Sequence, residues 1–198
     1  MKDIIRLNIS LDDSAPLIWR ELAVKSDISF AELHHTIQIA MGWKNYHLFE
    51  FNTEGYRIGL VFNDEIEDGL DINNLLDADT TLLRDIITVE GETIQYIYDM
   101  GDSWKHTIEV LAFADAVPTD SYPVCLSGAM ACPPDDCGGI HGYYYYLDVL
   151  KDKKHPEYKE IKNWMPRGFK ADSFDIQKIN IKLSGIGSYI NRWRKRNL

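Results

Sequence analysis

The sequence predicts an α+β fold, a mainly antiparallel sheet with helices packed on one side and a helical C-terminal third. Three observations predict it. Segments that alternate apolar and polar residues recur up to about residue 112, one capped helix interrupts them, and the pattern turns helical after residue 142. That order argues against alternating βαβ units. With 198 residues, 45% of them hydrophobic, the chain is long enough for one good-sized core, and a single domain over 1–198 is expected.

Each element follows from local pattern. Ile5, Leu7, Ile9 and Leu11 alternate with polar residues as a strand, Asp12 to Pro16 form a turn, and Leu17 to Lys25 return as the second strand of a hairpin. Ser29-Phe30-Ala31-Glu32 has the form of a capping box, and a helix follows with Phe30, Leu33, Ile37, Ala40 and Met41 on one face. Gly42 ends that helix in a left-handed conformation. Of the adjacent His34 and His35, helical periodicity lets only one face the core, and Trp19 and Trp43 read as core residues. His47 to Thr53 and Tyr56 to Phe62 pair around Glu54-Gly55. The acidic stretch after them reads as loop with a short helix, and Thr80 to Ile87 as another short helix. Thr93 to Tyr98 is a strand, Asp99 to Asp102 a turn with Gly101 at positive φ, and Trp104 to Ala112 the return strand. A long loop rich in Pro, Gly and Cys spans about Asp115 to Gly142. Helices over Tyr143 to Lys151, Glu157 to Met165 and Asp175 to Ile186 complete the chain, punctuated by Pro156 and Pro166.

The formal net charge of −10 opposes nucleic acid, which is approached by neutralising phosphates with Lys and Arg. Asp64, Glu65, Glu67, Asp68, Asp71, Asp77 and Asp79 form an acidic stretch, whereas Arg192, Arg194, Lys195 and Arg196 make the C-terminus basic. Solvated surface is the simplest reading of both, and contact of the basic end with nucleic acid or an acidic partner is the sharper one. No apolar run is long enough to cross a membrane, and residues 1–6 lack the core of a signal peptide. Three cysteines, an odd number, suit a reducing compartment, so a cytoplasmic location without membrane contact is expected. There is no Gly-rich phosphate loop, G-x-S-x-G elbow or dinucleotide fingerprint, which argues against nucleotide-dependent phosphoryl transfer and serine hydrolysis.

The special residues concentrate in two stretches, 98–106 and 122–143. Asp99 and Asp102 flank a tight turn. Trp104, His106, Ile108 and Val110 share a strand face, so His106 points inward. Either the two acids cap turn amides and His106 is a core histidine, or Asp102 orients His106 as a base or metal ligand. Pro133-Pro134 stiffens the long loop, Gly138-Gly139 allows close backbone approach, and Asp135 and Asp136 stand between them. That loop is either a structural brace or, folded back onto the hairpin tip, one wall of a cleft able to hold a divalent cation. Cys125, Cys132 and Cys137, with His106 or His141, compose a Cys₃His zinc set, although the usual close cysteine pair is missing and buried thiols are the simpler reading. The run Tyr143 to Tyr146 reads as core and groove lining.

These stretches resemble the plasmid pRiA ORF-three-like family, which includes passenger proteins of insertion elements. The resemblance rests on Pro16-Leu17-Ile18-Trp19-Arg20, on Leu33-His34 with Ile37-Gln38, Met41-Gly42-Trp43 and His47, and on the central Tyr96-x-Tyr98-Asp99-x-Gly101-Asp102-x-Trp104-x-His106. It continues through Cys132-Pro133-Pro134-Asp135-Asp136-Cys137-Gly138-Gly139-x-x-Gly142-Tyr143 to Phe174-Asp175 and Ile179-Asn180, and so covers nearly the whole chain. The family usually has Glu where Asp135 stands and Phe where Met100 stands. The resemblance implies a mixed α/β roll, no established activity and an association with mobile elements.

The resulting expectation is a binding module. A cleft between the 98–106 hairpin tip and the 122–143 loop would take a protein, peptide or small ligand through Asp99, Asp102, Trp104, His106, Asp135, Asp136, Gly138, Gly139 and Tyr143. The alternatives are a metal-dependent hydrolase, with Asp99, Asp102, Asp135 and Asp136 as ligands and His106 as base, and a DNA-associated accessory protein of mobile elements.

Overall fold

The computed structural model describes residues 2–61 and 74–197. Its centre is an eight-stranded sheet in the order β5-β4-β3-β6-β7-β1-β2-β8. The strands are β1 (Ile4–Leu11), β2 (Ile18–Lys25), β3 (Phe49–Asn52), β4 (Arg57–Gly59), β5 (Leu75–Asp77), β6 (Thr93–Tyr98), β7 (Trp104–Ala114) and β8 (Val124–Ala129). Every pairing is antiparallel except that of β4 with β5. The helices are α1 (Phe30–Met41), α2 (Leu83–Ile86), α3 (Gly139–Lys151), α4 (Tyr158–Trp164), α5 (Ile176–Leu183) and α6 (Ile186–Asn197). The fold is α+β, as the sequence order implies.

One sheet face carries the core. Ile5, Leu7, Ile9 and Leu11 of β1 are buried beside Trp104, His106, Ile108 and Val110 of β7 and Ile94, Tyr96 and Tyr98 of β6, while Lys105, Thr107 and Glu109 between them are exposed. The alternation fixes register, because a one-residue slip would move each of these side chains to the wrong face. Helix α1 lies over the apolar face. Ser29 caps it as its sequence requires: Ser29 Oγ accepts from the Glu32 amide at 3.2 Å, and Glu32 Oε2 accepts from the Ser29 amide at 3.0 Å. Gly42 closes it at φ 98°.

Several expectations are corrected. Both His34 and His35 are buried, because α6 covers the side of α1 turned away from the sheet, and Tyr189 and Trp193 of α6 pack edge-on against His35. Trp19 is only half-buried, since it lies on the sheet face opposite the buried Ile18 and Arg20. The turn after β6 takes its positive φ at Asp99 (59°) and Ser103 (54°), not at Gly101. The long loop contains edge strand β8, and the C-terminus ends in an additional helix, α6. Strand β4 ends at Gly59, short of the expected Phe62, while Phe62 itself and the short helix expected in the acidic stretch lie outside the described residues.

Candidate functional site

The hairpin tip and the Pro-Gly-Cys loop meet. Asp99 Oδ1 accepts from the Gly101 amide at 2.9 Å and the Asp102 amide at 3.3 Å, so this carboxylate organises the β6–β7 turn. Asp102 Oδ2 accepts from the Gly138 amide at 3.1 Å and ties the tip to the loop. Contact is close enough to demand glycine. A Cβ on Gly139, whose φ is 68°, would stand 2.6 Å from the Asp102 carbonyl oxygen, and one on Gly142 would stand 1.9 Å from that of Cys137. Tyr143 is buried behind this junction.

On the other side the loop is fastened to the exit of α1. Trp43 Nε1 donates to the Pro133 carbonyl at 2.9 Å. The Lys44 amide donates to Asp135 Oδ2 at 3.3 Å, and the Tyr98 hydroxyl donates to Asp135 Oδ1 at 3.1 Å. Burial pushes the Asp135 carboxyl up, against the pull of its hydrogen bonds from Tyr98 and Lys44. Burial, followed by the charge of Asp135, raises the Tyr98 hydroxyl.

His47, which carried no role in the sequence reading, joins two of the expected acids. Its Nε2 lies 3.1 Å from Asp136 Oδ1 and 3.5 Å from Asp99 Oδ2, and one ligand atom from each of the three residues falls within 4.8 Å of the others. An imidazole and two carboxylates in that span form a donor set that suits a divalent cation. Only its place after Met41-Gly42-Trp43 in the family resemblance marks it in the sequence, and periodicity says nothing about a loop residue that reaches another loop.

His106 has no place in that cluster. It is fully buried, its Nδ1 lies 3.0 Å from the Trp104 carbonyl oxygen, and its Nε2 has no hydrogen-bond partner among the described residues. Burial lowers its pKa to about 4. Of the two readings, the geometry is that of a core histidine held by a carbonyl, and the alternative Asp102–His106 pair is not formed. Trp104 is likewise a core residue, with its indole Nε1 unpartnered among the described residues. The cysteines do not converge. Among the described residues, His47, Asp99 and Asp136 alone form a three-ligand group of His, Cys, Asp or Glu, so Cys125, Cys132 and Cys137 do not make the anticipated zinc set with His106 or His141. All three are buried, and burial raises the Cys125 thiol to about 11, Cys137 to about 12 and Cys132 further.

Because the tip packs against the loop, none of residues 98–106 lines the principal cleft. It opens on the loop's other flank, between the exit of α1, residues 131–136 and the segment 164–182, and it encloses about 500 Å³. Pro133, Pro134, Asp135 and Asp136 do line it, with Trp43, Lys44, Trp164, Phe169 and Phe174. Arg20, 3% exposed, stands among the lining residues. Its guanidinium donates to the carbonyls of Ala40, Trp19, Ala129 and Met130 and sits 4.8 Å from the Phe174 ring centroid. The far wall is held by Asn180, which exchanges hydrogen bonds of 2.8 and 2.9 Å with the backbone of Cys125 in β8. Gly128 leaves room there, since a Cβ would meet the Phe174 ring at 2.7 Å. At the basic C-terminus, Arg194 is paired with Asp79 at 2.7 Å.

Comparison with known proteins places these residues in a family. A family model described as plasmid pRiA4b ORF-3-like protein matches residues 3–178. The uncharacterized protein y4hQ of Sinorhizobium fredii (strain NBRC 101917 / NGR234) is 33% identical over 162 residues, which cover 81% of this chain and 80% of that protein. A crystal structure of the protein of unknown function MM3350 from Methanosarcina mazei Go1 is similar with a TM-score of 0.80 and 30% identity, covering 89% of this chain and 97% of that one.

Proposed function

We propose that this chain, which belongs to the plasmid pRiA4b ORF-3-like family, is a binding module whose small-molecule ligand occupies the cleft beside the Pro133-Pro134 loop. The observation that carries this reading is the cleft itself, about 500 Å³ of concave space with aromatic and proline walls and a few charged groups. Its size and lining are those of ligand sites in general. The loop serves it as a braced wall, fixed to the tip through Asp102 and to α1 through Trp43 and Asp135. This moves the expected cleft from between tip and loop to the loop's opposite flank. A blocking substitution tests it. Ser173 is exposed at the cleft, so Ser173→Trp fills the space without entering the core. Small molecules found to bind the wild-type protein in a ligand-detected magnetic resonance screen lose binding to Ser173→Trp at unchanged melting temperature. Binding that survives the block contradicts the reading.

A second reading, cation binding, is favoured by the His47, Asp99 and Asp136 cluster. Three protein donors leave positions for water or substrate on a bound ion, as hydrolytic metal sites require. Chelator-treated protein titrated with Mn²⁺ should bind about one ion per chain, and Asp136→Asn should weaken that binding at least about tenfold. Equal uptake by wild type and variant would reject the cluster as the ligand set. The DNA-associated reading is the weakest of the three, since Arg194 already spends its charge on Asp79.

A further inference from the structure

The cleft has an electrostatic character opposite to that of the whole chain. Against a net charge of −10, Arg20, Lys44, Lys178 and Lys182 all line it. The acids that line it are engaged in the fold. Asp175 caps α5 by accepting from the Lys178 amide at 3.0 Å, Asp135 accepts from Tyr98 and Lys44, and Asp136 lies against His47. Arg20 is held by backbone carbonyls, and the Lys44 ammonium lies 5.7 Å from the Tyr46 ring centroid. Among the described residues, none of these four makes a salt bridge. Lys178 and Lys182 stand four apart on α5, so both reach the same wall, and both are exposed.

Arg20 is the independent observation. A buried charge ordinarily has a counter-ion, because desolvating it alone costs several kcal/mol. Arg20 is 3% exposed, yet among the described residues four carbonyl oxygens are its only hydrogen-bond acceptors. The carbonyl of Ala40 lies in the last turn of α1, where the helix dipole is negative, and the Phe174 ring supplies a further negative face. These partial charges offset part of the cost and leave one guanidinium N–H and a net positive charge beside the cleft. Trp164, 41% exposed and packed edge-on against Tyr146, adds an aromatic ring to the same space.

We propose that the ligand of this cleft is an anionic small molecule with an aromatic ring, its carboxylate or phosphate held by Lys178 and Lys182 in the field of Arg20 and its ring against Trp164. The inference rests on the cleft being the ligand site. Tryptophan fluorescence titrations with phenyl phosphate, benzoate and neutral benzyl alcohol test it, on wild type, Ser173→Trp and the surface double variant Lys178→Gln/Lys182→Gln, which leaves Arg20 and the fold in place. Both anions should bind, benzyl alcohol at least about tenfold more weakly, and the double variant should lose about tenfold for the anions while Ser173→Trp loses all. The tighter of the two anions identifies phosphate or carboxylate as the preferred group. Benzyl alcohol binding as tightly as the anions, with Ser173→Trp still blocking, overturns the anionic assignment and leaves the cleft as a ligand site. Anion binding unchanged in the double variant overturns it too. Binding of any of the three that Ser173→Trp does not touch removes the cleft itself, and failure of both anions to bind removes the anionic assignment outright.

Discussion

His34, His35 and His106 share one consequence of burial, which is that the fold holds them neutral. Burial lowers His35 and His106 to about 4 and His34 well below its ordinary value, helped for His34 by its neighbour His35. A folded-state pKa below the unfolded value of about 6.5 means that the unfolded chain binds protons first as pH falls. Stability is therefore full above about pH 6.5 and declines from there until the folded-state histidines also protonate near pH 4. For His106 the loss by pH 5 is on the order of 2 kcal/mol. Denaturant unfolding at pH 7.5 and pH 5 checks this: His106→Leu should lose less stability on acidification than wild type by about that amount, and an equal loss would place the titration elsewhere. The strand pattern made His106 legible as inward-pointing. That no carboxylate of the described residues bonds its ring was not, because register fixes which face a side chain occupies and not what a separate loop brings to it. His34 shows the same limit. Its Nε2 pairs with Asn45 Oδ1 at 2.7 Å and its Nδ1 with the Tyr96 hydroxyl at 2.8 Å, a buried chain assembled from three elements.

Among the elements, helix capping is legible in the sequence, whereas the φ pattern of the β6–β7 turn and the long-range cover are not. Ser29, Glu32 and Gly42 act locally, so their roles stand in the sequence and recur unchanged in α1. Strand β8 is not legible in the sequence, because Val124-Cys125-Leu126-Ser127-Gly128-Ala129 lacks alternation and is held by pairing with β2 and by Asn180. Strand β5, three residues long, depends likewise on a parallel partner. The tip–loop junction supplies the test at this scale. Gly139→Ala drives a Cβ into the Asp102 carbonyl of the tip and should cost about 2–4 kcal/mol by chemical denaturation. Gly187 in α6 has open space around it, so Gly187→Ala should stabilise by about 0.5–1 kcal/mol. Equal tolerance at the two sites would contradict the close packing of tip on loop.

At the scale of the whole molecule, one apolar sheet face is covered by α1, and α1 is covered in turn by the C-terminal helices. The cleft forms where that second cover stops short of the Pro133-Pro134 loop. One wall of it is singled out in the sequence, as Asp135, Asp136 and the two prolines before them. Arg20, Lys178 and Trp164 come from parts of the chain far apart in sequence, and no local pattern joins them. The central claim is that this space binds ligand, and the five tryptophans offer a direct measurement of it. Trp43 and Trp164 line the cleft, whereas Trp19, Trp104 and Trp193 do not. In ¹H–¹⁵N spectra recorded during titration with phenyl phosphate, the indole signals of Trp43 and Trp164 should shift together and saturate while that of Trp104 stays fixed. Saturating shifts confined to Trp19, Trp104 or Trp193, with Trp43 and Trp164 unmoved, would contradict the account.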